Sequence, residues 1–249
     1  MSGDYMKAIT EMTREELLTL EIRNIGRLLT PDEVVHIAVT LGAFWSYDYE
    51  AARSGKTGMH ALLKSGRHSD GFFVSRILLE PWNIRYIIAQ QVVLRLRAAL
   101  LVVPDYVTGI PDGATKLGEE VTWMLGSQPA CMEKVDGRIF LVTALKPNST
   151  LLLVEDFCTR GTGFIEAVKA VRENHPSVQI TPYDPVIINR GGLQEIVVDD
   201  IGRFSVLPVV EQRIQDWEPS ECPLCALGSK AVKPKTTDEN WHALLASQK

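Results

Sequence analysis

The feature that most constrains the fold is the segment LLLVEDFCTRGTG, residues 151–163. Its four consecutive large apolar residues predict a strand buried on both faces, as a central parallel strand is. Two adjacent carboxylates, Glu155 and Asp156, follow that strand, and a loop of small and hydroxyl-bearing residues leads into a helix predicted from Phe164 to Asn174. A strand, a tight loop and a helix in this order are typical of an α/β protein with a mostly parallel sheet.

The loop between this strand and this helix has the chemistry of a phosphate site. Backbone N–H groups at the start of a helix attract anions, and the hydroxyls of Thr159 and Thr162 add hydrogen-bond donors. The two carboxylates cannot hold phosphate, but they can accept hydrogen bonds from two vicinal hydroxyl groups. A phosphate next to a diol describes a ribose 5-phosphate. The alternative is that the acids only cap the helix, since carboxylates are favoured at helix N-termini.

The rest of the chain alternates between helical and extended patterns. Thr30, Pro31 and Glu33 predict a capping box at the start of a helix that runs to about Leu41. The other predicted elements are a helix over 13–28, extended segments over 60–79, helices over 83–100 and 114–125, and strands over 101–103, 130–133, 138–144 and 186–188. We therefore expect an α/β fold, with a central, mostly parallel sheet flanked by helices and an N-terminal hood.

Composition excludes several classes of protein. The chain has 249 residues, 45% of them hydrophobic and 23% charged, which excludes collagen-like, low-complexity and wholly disordered proteins. Its net charge of −5 argues against a basic nucleic-acid surface and against general affinity for anionic membranes. No apolar run reaches the length of a membrane span, and no secretory signal is visible. We expect a cytoplasmic protein with no nucleic-acid or membrane partner.

Segment 151–163 resembles the phosphoribosyl pyrophosphate (PRPP) signature of type I phosphoribosyltransferases, and its Thr-x-Gly-Thr part is similar to that of orotate phosphoribosyltransferases. Residues 63–73 resemble that family's Leu-Lys-Ser-Gly-Arg-x-Ser-x-x-Phe-Phe segment. Residues 107–112 are similar to its pyrophosphate loop, and residues 188–192 to a strand end that carries an arginine near the base. The resemblance covers most of the chain between residues 60 and 192.

The resemblance implies a type I phosphoribosyltransferase fold and transfer of 5-phosphoribosyl from PRPP to a nucleobase, with orotate as the first expectation and release of diphosphate. It also implies Mg²⁺ bound with PRPP, a homodimer and a role in pyrimidine biosynthesis. No residue is expected to ligate a metal directly. The residues that it assigns are catalytic Glu155, Asp156 and Lys134; PRPP-binding Thr159, Arg160, Gly161, Thr162, Gly163, Lys64, Thr108 and Gly109; and base-binding Phe72, Phe73 and Arg190.

The chain departs from the family's pattern in two places. Thr108 stands where the pyrophosphate loop normally carries a lysine, and residues 132–138 replace a longer basic catalytic loop, with Lys134 matching one of its lysines. Two alternatives therefore stay open: a phosphoribosyltransferase for another base, and a catalytically weak protein that senses PRPP or a nucleotide. Structural roles also stay open for Lys64 as a solvated charge, for the aromatic pair as core residues and for Arg190 as a turn cap.

The two ends of the chain are expected to surround the core. We expect an N-terminal helical extension over 1–58, a core over 59–215 with a hood segment at 59–80, and a peripheral C-terminal segment over 216–249. Cys222 and Cys225 form a Cys-x-x-Cys pair in that last segment. A tetrahedral zinc needs four ligands, and neither a second pair nor histidines at ligand spacing are visible. We expect a reduced pair without stoichiometric zinc unless distant residues or a second copy complete it, and we expect Cys131 and Cys158 in the core.

Overall fold

The computed structural model describes residues 7–21, 25–99 and 102–249. The helices are α1 (Arg14–Leu18), α2 (Pro31–Thr40), α3 (Tyr49–Arg53), α4 (Ser75–Leu79), α5 (Trp82–Ala98), α6 (Thr115–Leu125), α7 (Thr162–Asn174), α8 (Pro223–Ala226) and α9 (Asp238–Ala246). The strands are β1 (Phe44–Ser46), β2 (Met59–Leu62), β3 (His68–Ser69), β4 (Gly71–Phe73), β5 (Tyr106–Gly109), β6 (Gln128–Pro129), β7 (Met132–Val135), β8 (Arg138–Leu141), β9 (Thr150–Cys158), β10 (Gln179–Ile180), β11 (Tyr183–Asn189), β12 (Glu195–Val198), β13 (Gly202–Glu211), β14 (Asp216–Trp217) and β15 (Lys230–Val232). Two compact units result, one from Met1–Ile37 with Ser75–Arg213 and one from Ala38–Val74 with Ile214–Lys249.

The first unit is built on one sheet with the strand order β12-β13-β11-β9-β5-β6, and β10 pairs with the start of β9. All neighbouring strands run parallel except β12 and β13. The four apolar residues at 151–154 in β9 are fully buried. The prediction of a central, mostly parallel sheet is confirmed.

Helices cover this sheet on both faces. Leu151 and Leu153 of β9 join a core cluster with Phe164 and Val168 of α7. Because successive strand side chains alternate, the other two apolar side chains of that run point to the opposite face. Helices α5 and α6 pack against other parts of the same sheet, α5 on β13 and β11 and α6 on β5. Among the described residues, no helix has both the length and the apolar character needed to cross a bilayer.

Several helix predictions are confirmed at their starts. The Thr30 N–H donates to the Glu33 carboxylate at 2.8 Å, and the Glu33 N–H donates to Thr30 Oγ1 at 3.3 Å, so the capping box precedes α2 as predicted. Helices α5 and α6 lie within two residues of their predicted bounds. Helix α7 begins two residues before the predicted start and ends at the predicted Asn174. Apolar spacing is a sufficient signal for these helices, and a local capping box adds to it at α2.

The predicted strand at 101–103 is wrong. Val102 and Val103 are irregular and are 85% and 56% exposed, while Leu101 lies outside the described residues. The strand forms instead at β5, and every residue of β5 pairs with a residue of β9. Pairing with the central strand, rather than local apolar character, decides which residues are buried here.

The predicted helix over 13–28 is also wrong in extent. Among the described residues it is limited to α1, which ends at Leu18 with Thr19 as its C-cap. Of the leucine and isoleucine side chains in this range, Leu17, Leu20 and Ile25 are buried, Leu18 and Leu28 are more than a third exposed, and Ile22 lies outside the described residues. An irregular chain can therefore bury apolar side chains whose spacing resembles that of a helix.

The segments predicted as strands over 130–133 and 138–144 form a separate antiparallel hairpin, β7–β8. Asp136 and Gly137 form its two-residue turn with φ of 49° and 82°, as a type I′ turn requires. Cys131 was predicted in the core but is exposed, because strand alternation turns its neighbour Met132 inward instead. Cys158 is buried as predicted.

The second unit joins two stretches that are distant in sequence. Strand β1 pairs with β4, and a second sheet has the order β14-β3-β2-β15. Arg67 reinforces the pairing of β14 with β3, because its Nε lies 2.6 Å from the Asp216 carboxylate and its Nη1 contacts Glu218. The two compact units follow this strand pairing. The predicted extended region at 60–79 also contains a helix, α4.

Candidate active site

The carboxyl ends of three strands meet at one edge of the main sheet. Gly109 of β5 is in register with Val154 of β9, and Asn189 of β11 is in register with Cys158. The pairing continues past the strands, because the Arg190 N–H donates to the Cys158 carbonyl at 2.8 Å. The loops after β5, β9 and β11 therefore lie side by side. Open α/β sheets bind their ligands at this edge.

Asp156 is the acid that lies on the loop side of this edge. Strand β9 continues to Cys158, so both acids belong to the strand rather than following it. The Asp156 side chain is half-buried and lies against the loop after β5, where a Cβ on Gly113 would come within 1.8 Å of its Oδ2. Glycine at position 113 therefore leaves the space that this carboxylate occupies.

Glu155 points to the opposite face of β9 and is only 5% exposed. Its carboxylate accepts a hydrogen bond from the Phe164 N–H in the first turn of α7. Its Oε1 would lie 2.9 Å from a Cβ on Gly163. The helix-capping role that the sequence left open is thus realised by Glu155, and Asp156 is the acid at the strand ends.

Asp184, a fully buried acid in β11, is not predicted as a site residue by the sequence. Carboxylate oxygens of Glu155 and Asp184 and the Cys158 Sγ all lie within 4.8 Å of one another. Neither Asp184 oxygen, nor Glu155 Oε2, has a hydrogen-bond partner among the described residues. The only signal in the sequence is an acid two positions before the apolar run predicted as a strand at 186–188.

Burial changes the protonation of this acid pair. Desolvation, and then the charges of Asp184 and Asp156, raise the pKa of Glu155 well above its usual value. Desolvation raises the pKa of Asp184 to about 7. Two carboxylates this close cannot both ionise without a counter-charge. At least one of them therefore holds a proton near neutral pH.

The loop after β9 and the first turn of α7 form the candidate phosphate cradle. Gly161 is the N-cap of α7, and its φ of 67° lies in the left-handed region that glycine adopts without strain. A Cβ there would also come within 2.5 Å of the Ile196 side chain. Thr162 and Arg160 are exposed and Thr159 is half-buried. The helix start thus offers backbone donors and hydroxyls beside the strand ends.

The loop after β11 lies against this cradle. A Cβ on Gly191 would come within 1.9 Å of the Thr159 carbonyl oxygen, so the two loops touch. The Asn189 side chain braces the turn by donating to the Leu193 carbonyl at 2.7 Å. Arg190 is half-buried between these contacts. Folding therefore brings the Arg190 segment next to the cradle.

The loop after β5 contributes its main chain. The Thr108 side chain is 2% exposed, and its hydroxyl donates to the Gly109 carbonyl at 3.4 Å. Gly109 packs directly against the start of α6, where a Cβ would come within 1.9 Å of the Ala114 carbonyl oxygen. Contacts of this loop with a bound diphosphate would therefore come from backbone groups rather than from the Thr108 hydroxyl.

The Lys134 side chain is exposed near the turn of the β7–β8 hairpin, although it is in register with Ile139 and so lies on the same face of the hairpin as that buried residue. The hairpin is held to the core by Met132, Ile139 and Leu141, which join the cluster around α7. The lysine is therefore carried by a packed hairpin with a tight turn.

The remaining predicted residues belong to the second unit. Lys64 is exposed at the turn of the β2–β3 hairpin. Phe73 is 3% exposed and pairs with Phe44 of β1. Phe72 is half-buried, with its ring centroid 6.0 Å from that of Trp241. Within this unit Phe73 has a core position, and Phe72 is the more accessible ring of the pair.

The fold is that of a type I phosphoribosyltransferase. A solved orotate phosphoribosyltransferase from Aeropyrum pernix aligns with a TM-score of 0.55 and 16% identity, over 72% of this chain and 93% of that chain. A curated orotate phosphoribosyltransferase from Acidithiobacillus ferrooxidans is 30% identical over 183 residues, which are 70% of this chain and 87% of the relative. One from Nitratiruptor is 27% identical over 185 residues, covering 70% of this chain and 90% of the relative. No protein-family model matches the sequence. The chain belongs to the orotate phosphoribosyltransferase family.

Proposed function

We propose that the protein transfers the 5-phosphoribosyl group of PRPP to orotate and releases diphosphate. The observation that carries the proposal is the position of Asp156, which lies against the glycine loop after β5, near the end of the strand whose following loop leads into α7. An acceptor for ribose hydroxyls thus lies beside a phosphate cradle. Membership of the orotate phosphoribosyltransferase family supports this assignment of donor and base.

In this reaction the bond from ribose C1 to the diphosphate oxygen breaks as a ring nitrogen of the base bonds to C1. The transition state is oxocarbenium-like, so positioning and charge stabilisation supply most of the acceleration. Asp156 would accept hydrogen bonds from the ribose hydroxyls and stabilise positive charge on the ring. Glu155 would act indirectly, because its hydrogen bond from the Phe164 N–H holds the first turn of α7 in place.

The cradle would hold the 5-phosphate. Backbone N–H groups at the start of α7 and the hydroxyls of Thr159 and Thr162 are suitable donors, and Arg160 is exposed beside them. Backbone groups of the Gly109 loop would face the diphosphate. Arg190, next to the cradle, suits the carboxylate of orotate because a guanidinium binds carboxylates in bidentate fashion.

The donor set at this edge fits Mg²⁺. That ion takes oxygen ligands and is usually held by one or two carboxylates together with substrate phosphates. The half-buried carboxylate of Asp156 is an oxygen donor at the strand ends. Bound with PRPP, Mg²⁺ would neutralise charge on the departing diphosphate.

A homodimer would bring Lys134 to the site of a second copy. The hairpin that carries this lysine also exposes Phe140 and Val142, at 44% and 57%. Exposed apolar side chains grouped in this way are typical of protein–protein contact sites. Light scattering on an eluting size-exclusion peak measures the mass, and we expect twice that of the chain.

One experiment separates the open functions. The protein is incubated with PRPP, Mg²⁺ and, in turn, orotate, uracil, adenine and hypoxanthine, and diphosphate release is followed against a blank without base. We expect release with orotate and none with the other bases, and we expect Asp156→Asn to slow the release by at least ~10²-fold. Release only with another base would identify that base, rather than orotate, as the substrate. Binding of PRPP without release for any base would favour a sensing role.

A further inference from the structure

Four metal-ligating side chains of the second unit converge on one point. His60 Nε2, His68 Nδ1, Cys222 Sγ and Cys225 Sγ lie within 4.8 Å of one another. The two nitrogens are 2.9 Å apart, and His60 Nε2 lies 3.7 Å and 3.6 Å from the two sulfurs. His68 Nδ1 lies 3.2 Å from Cys225 Sγ. These are the distances of a shared ligand shell rather than of four separate contacts.

The ligand types and distances match tetrahedral zinc. Zinc binds thiolate sulfur at about 2.3 Å and imidazole nitrogen at about 2.0–2.1 Å, so neighbouring ligand atoms lie roughly 3.3–3.8 Å apart. Both distances from His60 Nε2 to sulfur fall in this range, and the nitrogen pair needs to separate by only a few tenths of an ångström. We propose that His60, His68, Cys222 and Cys225 form a structural zinc site of the Cys₂His₂ type.

Hydrogen bonds around His60 set the tautomer that a metal needs. His60 Nδ1 lies 2.9 Å from Ser229 Oγ, and the Ser229 hydroxyl donates to the Gly58 carbonyl at 3.3 Å. Because that hydroxyl has one proton, it accepts from Nδ1–H while it donates to Gly58. The lone pair of Nε2 then points into the cluster. A second hydrogen bond of this kind is what orients histidines that bind metals.

Burial and charge indicate zinc and a structural role. His60, His68 and Cys222 are 0%, 8% and 4% exposed, and both cysteines of the cluster are free thiols. Two thiolates neutralise a divalent cation, so the occupied site adds no net charge to the unit. Sulfur and imidazole select zinc over the oxygen-preferring Mg²⁺ and Ca²⁺. Four protein ligands leave no open position for a substrate, which is typical of structural sites.

The proposed site would hold together parts of the chain that are distant in sequence. His60 and His68 lie on the same face of the β2–β3 pair, two positions apart in its register. Cys222 is the N-cap of the single-turn helix α8, and Cys225 lies within that helix. The strands of this unit are only two to four residues long, and small units with little core commonly need a metal for stability. The expectation of no zinc assumed that two ligands were missing, and the fold supplies both.

The first test is metal content. The full chain is purified through a tag without histidine, and its metals are counted by inductively coupled plasma mass spectrometry. We expect one zinc per chain. In cobalt-grown protein we expect the intense visible bands of tetrahedral cobalt with thiolate ligands. Protein that holds no zinc as purified, and shows no thiolate–cobalt spectrum when the metal is added, would overturn the proposal.

Matched variants then locate the metal. Cys225→Ser and His68→Asn should lose the zinc, while Cys131→Ser, the same change at an exposed cysteine outside the cluster, should retain one per chain. A strong chelator should lower the Tm of wild type and Cys131→Ser. Zinc retained in both cluster variants would refute the assignment. If a cluster variant does not fold, the cobalt spectrum of the wild-type protein still tests whether thiolates bind the metal. These measurements need no PRPP, so they are independent of the proposed transfer reaction.

Discussion

Glu155 of β9 and Asp184 of β11 bury their carboxylates next to each other, with oxygens less than 4.8 Å apart. The two strands are parallel neighbours, and Glu155 is in register with Val186, two residues beyond Asp184. One face of this acid pair contacts the first turn of α7 through Glu155. The start of the candidate phosphate cradle is therefore in contact with a buried pair of acids that together hold at least one proton.

The first prediction is that the contribution of Asp184 to stability falls as pH rises. Burial holds the pKa of Asp184 at about 7, against about 4 in an unfolded chain, so the folded state binds the extra proton between these values. The contribution of Asp184 to the free energy of unfolding should therefore decrease from pH 5 to about pH 7 and stay constant above that. Asp184→Asn should reduce that slope by up to about 1.4 kcal/mol per pH unit.

Urea unfolding at four pH values measures this slope. The control is Asp200→Asn, an exposed turn residue with φ of 62°, which asparagine tolerates. Its slope should equal that of wild type. A slope in Asp184→Asn that also equals the wild-type value would show that Asp184 is ionised in the folded protein.

The second prediction concerns Asp156. Asp156→Asn preserves the size of the side chain beside Gly113 but removes its charge, so the Tm should stay within a few degrees of wild type. Turnover should fall by at least ~10²-fold, the scale for losing one preorganised electrostatic contact. Steady-state kinetics with PRPP and orotate measure kcat and KM. Near-normal kcat in this variant would assign the acid a purely structural role.

The third prediction separates two effects of a side chain at Gly161, namely backbone strain and a clash with Ile196. Gly161→Ala places a side chain at φ of 67° and against Ile196, whereas Gly126→Ala has φ of 72° with nothing within 4 Å. Each variant should lose roughly 1–2 kcal/mol of folding stability, because alanine is strained in a left-handed backbone conformation. Gly161→Ala should lose more and should abolish the rise in Tm that PRPP and Mg²⁺ give wild type by mass action. Equal stability losses in both variants would show that Ile196 moves aside freely.

The fourth prediction tests Lys134. Since the hairpin packs through other side chains, Lys134→Ala should retain stability and lower kcat roughly 10²-fold. Lys169→Ala, an exposed lysine on α7, is the control and should be neutral. If the lysine serves a second copy, mixing Lys134→Ala with Asp156→Asn should restore about a quarter of wild-type activity. No recovery from a verified mixed dimer would place Lys134 in the site of its own chain.

The fifth prediction is slow turnover of orotate. A two-residue turn at Asp136–Gly137 gives the hairpin little reach, while exclusion of water from the reacting centre usually needs a mobile loop. We expect kcat well below the ~10 s⁻¹ of a typical enzyme. Stopped-flow measurement of diphosphate release supplies the value. Turnover at ordinary rates would mean that other elements close the site.

The sequence determined the features that depend on neighbouring residues. The central strand, its following loop and the start of α7 are all visible in segment 151–163, because a continuous apolar run and a glycine at the turn into a helix are features of neighbouring residues. The capping box of Thr30 and Glu33 is of the same kind. The strand expected at 101–103 failed because local apolar character does not say which run will pair with the central strand.

Tertiary structure alone decided which distant groups meet. Strand alternation separated Glu155 from Asp156, and strand pairing placed Asp184 beside the first of them. Pairing of β14 and β15 with β3 and β2 brought His60 and His68 to Cys222 and Cys225, across more than 150 residues. Spacing along the chain records none of these contacts, since they arise only when the burial of apolar surface selects one strand order.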